Sequence, residues 1–237
     1  MSNIDQGEAA LGTLQSGPMT KLRPAFLAAA LASATGTWAL VAVGGVVRIT
    51  ESGLGCPDWP LCHGQAVPKT EKTAILEFSH RATAAASIVL VALVAALAWR
   101  WYRSRPDIVW PATAALLLVP LQAVLGAIVV WLELPGWIVA VHFVVGLLYS
   151  GAAVACAAAA WRDPTAPVSA GFARLAQATV AISLVLVSVG AAVVSAHAEE
   201  ACGREWPACN GAFVAGGSDA SLQVAHRMLA YAVALMA

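Results

Sequence analysis

Long apolar runs alternate with short polar connections along this chain, at lengths that predict membrane-spanning helices. The runs extend from Ala25 to Val47, Ala82 to Trp101, Ile108 to Trp131, Trp137 to Trp161 and Leu175 to Ser195, each near the roughly 20 residues needed to cross a hydrocarbon core. A sixth opens at Ser221 and stops at Ala237; at 1.5 Å per residue it reaches about 25 Å, short of the ~30 Å core. The chain is therefore expected to stop inside a helix or just at its end. Met1 to Pro18 is polar and without apolar periodicity, so residues 1–20 are expected to form a disordered cytoplasmic tail. Lys21 and Arg23 ahead of an apolar run resemble the start of a signal peptide, but the run is too long for an h-region and reads as an uncleaved first helix.

Composition removes the soluble alternatives: 60% apolar and 11% charged residues, with a mean hydropathy of +0.77, place the chain outside the range of soluble globular domains. The fold class is an all-α integral membrane protein, a helical bundle with lipid as its environment and no nucleic-acid partner. Basic residues in the short connections orient it. Lys21 and Arg23 precede helix one, Arg100, Arg103 and Arg105 follow helix two, and Arg162 and Arg174 flank the link between helices four and five. These segments are expected on the cytoplasmic side of a bacterial-type plasma membrane. The opposite connections mix Lys69, Lys72 and Arg204 with Glu51, Asp58, Glu71, Glu199, Glu200 and Glu205, so they are expected to face outward. Arg48, Arg81 and Arg227 lie near the outer ends and weaken the bias.

One segment is present twice. Cys56-Pro-Asp-Trp-Pro-Leu-Cys62 followed by His80-Arg81 is matched by Cys202-Gly-Arg-Glu-Trp-Pro-Ala-Cys209 followed by His226-Arg227. Trp59 and Trp206, like Cys62 and Cys209, stand 147 residues apart, and His80 and His226 stand 146 apart, the mark of a duplicated unit. Four of the five cysteines fall in these two outer loops. An oxidising compartment predicts the disulfides Cys56–Cys62 and Cys202–Cys209, each stiffening a Trp-Pro turn at the membrane surface. Reduced, inert thiols are the alternative, and the intervals do not match zinc knuckles. Cys156 stands alone in an apolar helix and reads as packing.

Histidines inside membrane segments are costly and usually mark a site. His80 is expected at the outer lip of helix two, His142 about 9 Å inside helix four, and His226 about five residues inside helix six. A lone histidine there would more often be a packing hydrogen-bond donor. Three at similar depth, two of them in duplicated positions, point instead to metal ligation. His80 and His142, on helices running in the same direction, could supply both axial positions of a heme iron; a zinc shell would need Glu77 as a third ligand.

Glu77 precedes His80 by three residues and so shares its helical face. A carboxylate there could act as a base at the rim of a bound macrocycle, or be a solvated charge at a helix start. The second copy carries Gln223 at that place, which suggests two heme sites with different tasks. Arg81 and Arg227 could reach heme propionates or snorkel to the interface. His63 and His197 read as exposed residues without a role.

The run Arg48-Ile-Thr-Glu-Ser-Gly-Leu-Gly-Cys-Pro-Asp-Trp-Pro-Leu-Cys-His-Gly64, then Glu77-Phe-Ser-His80-Arg81, resembles the signature of the heme A synthase family. The resemblance extends through Leu125-Gly126 and the helix start Leu134-Pro-Gly-Trp-Ile-Val-Ala-Val-His142 to His226-Arg227. It implies eight helices in two pseudosymmetric four-helix halves, of which about six are present: residues 21–165 as the first half with the substrate heme site, and 166–237 as part of the second. It also implies oxidation of the C8 methyl of heme O to a formyl group by successive hydroxylations, giving heme A for terminal oxidases. In that picture His80 and His142 hold the substrate heme, Glu77 is catalytic, and the Cys56–Cys62 disulfide orders the site or passes electrons. His226 ligates a cofactor heme b whose opposite ligand would stand on an eighth helix that this sequence does not include. Heme O synthase is an implied partner, and the electron donor is not specified.

Two other readings stay open on the residues alone. One is a non-catalytic b-type membrane cytochrome or heme carrier using the same bis-histidine cage. The other is a quinone-linked thiol-disulfide oxidoreductase, against which stands the absence of a C-x-x-C spacing in either loop.

Overall fold

The computed structural model describes residues 18–68, 70–162, 167–203, 205, 208–209, 211 and 216–236. Among the described residues six helices follow one another: α1 (Pro18–Ile49), α2 (Lys72–Trp101), α3 (Pro106–Trp131), α4 (Gly136–Trp161), α5 (Ala170–Ser195) and α6 (Ser218–Met236). Among the described residues there is no sheet, and Cys62 and Gln65 form an isolated bridge. The first five helices are long and apolar enough to cross a membrane; α6, with 19 residues that include Asp219, Gln223, His226 and Arg227, is not among them. The chain is a multi-pass membrane protein. Of the expected N-terminal tail, residues 1–17 lie outside the described residues, and Pro18 to Thr20 already belong to α1.

Helices begin earlier than the apolar runs do. α2 starts at Lys72, ten residues before the run that opens at Ala82, because polar side chains do not stop a helix whose backbone bonds are internal. His80 is thus the ninth residue of α2 rather than its lip, and His226 is likewise the ninth of α6. Pro111 and Pro120 stand inside α3 and Pro24 inside α1, as membrane helices tolerate.

The duplicated helices α1 and α5 end alike, as does α3, whose Leu134 and Glu133 amides donate to Val129 at 2.8 Å and Val130 at 3.1 Å. At the end of α1 the Ser52 amide donates to the Val47 carbonyl at 2.9 Å and that of Glu51 to Arg48 at 3.2 Å. At the end of α5 the Ala198 amide donates to Val193 at 3.0 Å and that of His197 to Val194 at 3.2 Å. Both are Schellman closures. The residue in the left-handed conformation is Glu51 in one, φ 53°, and His197 in the other, φ 53°, where glycine is the usual choice.

The chain divides into two compact units. The first comprises Met1–Gly55, Lys69–Leu121 and Leu148–Pro164. Its core is built from small side chains, including Ala30 and Ala34 of α1, Ala95 and Ala98 of α2, Ala112 of α3, and Ala157 and Ala160 of α4, around Phe26 and Ile108. Lipid is as apolar as leucine, so membrane helices associate through such close approach and through interhelical hydrogen bonds. Two such bonds are buried here: Ser150 donates to Thr37 at 3.0 Å, and the Ser87 and Tyr149 hydroxyls lie 2.7 Å apart. Arg105 grips Asp107 through two bonds of 2.9 and 2.7 Å and donates to the Ala159 carbonyl at 3.1 Å, tying the starts of α3 and the end of α4. The second unit comprises Cys56–Pro68, Gln122–Leu147 and Thr165–Ala237, with α5 packed along α6. This division follows packing and cuts within α3 and α4, whereas the sequence repeat has its boundary between α4 and α5.

Gly55, just before the first cysteine, lies against the backbone at the start of α2. A Cβ there would overlap Thr73 and come within 2.7 Å of the Ala74 nitrogen. Gly55→Ala should therefore lower stability by more than about 2 kcal/mol, while Glu51→Gly and His197→Gly should each raise it by about 0.5–1 kcal/mol through relief of the left-handed backbone. Thermal unfolding of the detergent-solubilised variants measures all three.

Candidate functional site

Each membrane histidine lies over a glycine of the helix before it. In the first unit, a methyl group placed on Gly44 of α1 would come within 3.0 Å of Cε1 of His80 on α2. In the second unit, the same construction on Gly190 of α5 reaches Cε1 of His226 on α6 at 2.7 Å, and on Gly126 of α3 it reaches Cε1 of His142 on α4 at 3.4 Å. The first two could not carry a side chain without moving the ring; the third would just touch it. Gly44 and Gly190 stand 146 residues apart, as do His80 and His226, so the contact itself is duplicated.

A backbone carbonyl completes the arrangement in the second copy. His226 Nδ1 lies 3.2 Å from the Leu186 carbonyl oxygen, one turn before Gly190. Leu40 stands at the equivalent place, one turn before Gly44, but the buried Nδ1 of His80 makes no hydrogen bond among the described residues. A carbonyl on Nδ1–H fixes the tautomer that leaves the Nε2 lone pair available, the usual support of a metal-ligating imidazole.

The copies diverge one turn from the histidine. Glu77 is buried and its Oε1 accepts from Arg81 Nε at 2.9 Å, an i,i+4 pair with the acid on the favourable N-terminal side. In the second copy the buried Gln223 donates from Nε2 to the Glu199 carbonyl at 2.7 Å, and Arg227 donates to the carbonyls of Glu205 at 2.9 Å and Ala208 at 2.6 Å. Arg81 thus serves a carboxylate, whereas Arg227 fastens a loop.

Both cysteine pairs are disulfides, Cys56–Cys62 and Cys202–Cys209. Each loop is closed again by an acid. The Asp58 carboxylate accepts from the amides of His63 at 2.6 Å and Gly64 at 2.7 Å, and Glu205 accepts from the Gly211 amide at 2.7 Å. Gly64 and Gly211 have φ of 72° and 78°, which lets the chain turn its amide back onto the acid. Trp59 meets Trp131 edge-to-face with ring centroids 6.2 Å apart, anchoring the first loop to the end of α3. Arg204 and Trp206 of the second loop lie outside the described residues.

The family model for COX15-CtaA, cytochrome oxidase assembly protein, matches residues 28–237. This chain belongs to the COX15-CtaA family. Proteins named heme A synthase from Bacillus mycoides (strain KBAB4), Bacillus cereus (strain AH187) and Bacillus anthracis (strain A0248) are each 36% identical to it over 108 residues, covering 44% of this chain and 34% of theirs. The chain thus aligns with about a third of the length of these relatives.

For a COX15-CtaA member, the donor set suits heme iron. Imidazoles on glycine-cleared helix faces, with a carbonyl that sets the tautomer of His226, suit axial ligation. These glycines carry no chemistry of their own; the signal of Gly44 and Gly190 in the sequence is the 146-residue offset they share with His80 and His226, which Gly126 lacks.

The acid closure of the first loop gives a pH prediction. Hydrogen bonds from the Gly64 and His63 amides hold the Asp58 carboxyl below its ordinary value of 3.8. A depressed carboxylate contributes stability above that ordinary value and loses it as pH falls through the lower folded value. Exchange protection of the Gly64 amide should accordingly fall in acid below about pH 3.8, and Asp58→Asn should show weaker protection with no such step. Hydrogen exchange followed by mass spectrometry of the loop peptide reads both.

Proposed function

We propose that this chain carries the substrate half of a heme A synthase, oxidising the C8 methyl of heme O to a formyl group by successive hydroxylations. The observation that carries the reading is Glu77: a buried carboxylate one helical turn from a glycine-backed histidine, present in one copy of the repeat and replaced by Gln223 in the other. His80 and His142 ligate the substrate heme. Arg81 engages Oε1 of Glu77, which fixes the carboxylate that would serve as a base at the rim of the bound substrate. His226, its Nδ1 set by Leu186, ligates a heme b that supplies one-electron transfer when bound. Arg227 holds the second loop over that site, and Arg81 and Arg227 stand where they meet the heme propionates.

The rest of the proposal follows from the family and the charge pattern. Residues 21–165 and 166–237 belong to successive pseudosymmetric halves, the N-terminus is cytoplasmic, and the disulfide loops face outward. The first disulfide keeps the loop ordered beside the substrate half. Heme O synthase supplies the farnesylated substrate.

One observation favours a different reading. The Glu77–Arg81 pair is also what a purely structural acid would make, and a b-type cytochrome or heme carrier needs no base. Heme extraction and chromatography from the full-length protein, expressed in a host that makes heme O, separates the two. Recovery of heme A together with heme O is expected, and Glu77→Gln should keep the bis-histidine spectrum while slowing heme A formation about 10²–10⁴-fold. Heme b alone, unaffected by Glu77→Gln, would establish the carrier.

A further inference from the structure

The three helix pairs share a register, and one position breaks it. Four residues before the histidine-facing glycine stand Leu40 in α1 and Leu186 in α5, but Gln122 in α3. Gln122 lies about 14 Å from the Trp131 end of α3, and Gly146 lies about 15 Å into α4, one turn deeper than His142. The amide packs against that glycine: a Cβ on Gly146 would come within 2.9 Å of Gln122 Nε2 and 3.8 Å of Cδ. Gln122 Oε1 is buried and makes no hydrogen bond.

A buried, unsatisfied amide oxygen inside a membrane span is an expensive choice where two equivalent positions carry leucine. It is made tolerable by a missing side chain opposite, so both helices are shaped around the amide. We propose that Gln122 is a specificity-determining residue that hydrogen-bonds a hydroxyl group borne on the tail-carrying substituent of the porphyrin ligated by His142. The inference rests on the reading of this site as a heme O site.

Placement supplies the chemistry. One turn beyond an axial ligand, toward the centre of the span, is where the edge of the macrocycle meets the apolar interior. A hydrocarbon tail is driven to that side and the propionates to the polar end. Heme O bears a hydroxyl on the carbon that joins ring to tail, and heme B carries a vinyl group there. A site built to satisfy a buried polar atom rejects the analogue that lacks the partner, so Gln122 favours the farnesylated heme over its precursor.

The test is equilibrium titration of heme O and of heme B into heme-depleted full-length protein in a His226→Ala background, which leaves the first-half site to be read. The parent protein should bind heme O about tenfold more tightly than heme B. Gln122→Leu, which installs the residue found at the two equivalent positions, should lower that ratio several-fold by weakening heme O alone; Gln122→Asn should fall between. Unchanged heme B binding serves as the folding control. An unaltered ratio in Gln122→Leu, or equal weakening of both hemes, overturns the inference while leaving the heme O reading intact. Failure of the parent to bind heme O overturns that reading, and the inference with it.

Discussion

An imidazole placed inside an apolar span has to be given space by the neighbouring helix, and here a glycine gives it each time. Gly44, Gly126 and Gly190 clear the faces over which His80, His142 and His226 lie. Much else follows from that requirement. α1 must lie close to α2, and α5 to α6, and the carbonyl of Leu186, one turn from Gly190, becomes the partner of the His226 ring. The small-residue core of the first unit and its buried Thr37–Ser150 and Ser87–Tyr149 bonds serve the same end: in lipid, close backbone packing and a few hydrogen bonds are what fix a helix at a given depth and rotation.

With the histidines held alike, the difference between copies rests on the next turn of the helix. Glu77 can be buried because Arg81 lies four residues on and neutralises it. Gln223 is neutral already, which frees Arg227 to reach the loop carbonyls of Glu205 and Ala208. One substitution of acid by amide therefore redirects two side chains. It turns a charged pair beside a histidine into a clasp on the disulfide loop, without altering the backbone that carries either.

Helix number, order and approximate extent were legible because lipid demands long apolar runs with satisfied backbones, and the disulfide loops were legible because the cysteines come in duplicated pairs. Helix starts were not. Glu77, Ser79, His80 and Arg81 interrupt the apolar run ahead of Ala82, so α2 looked shorter than the Lys72–Trp101 it is. Gly126 was legible only as part of the Leu125-Gly126 stretch of the resemblance, and the role of Gly44, Gly126 and Gly190 was not, because it exists only against the ring opposite. His197, which has no evident role in the sequence, turns out to be the left-handed residue that closes α5, as Glu51 closes α1. That role belongs to backbone conformation, which composition does not report. The Glu77–Arg81 pair was within reach of the i,i+4 rule, but an arginine near a membrane surface has other uses, and spacing alone does not choose among them.

The repeat offset shows where the duplicated unit tolerates change. It is 146 through the end of α1 and α5, for Leu40 and Leu186, Gly44 and Gly190, and Glu51 and His197, and it is still 146 at Cys56 and Cys202. Inside the disulfide ring it becomes 147, because the rings span six and seven residues, and it stays so at Gly64 and Gly211. By Glu77 and Gln223 it has returned to 146. One residue is gained in the ring and one lost before the helix. A loop absorbs such a change by bending, and Asp58 and Glu205 differ by the one methylene that each needs to reach its glycine amide. A helix cannot absorb it, since a single residue rotates everything beyond it by about 100° and would carry the histidine off its glycine. The length changes therefore cancel before the helix that bears the histidine, as expected if the glycine–imidazole contact is the feature under constraint.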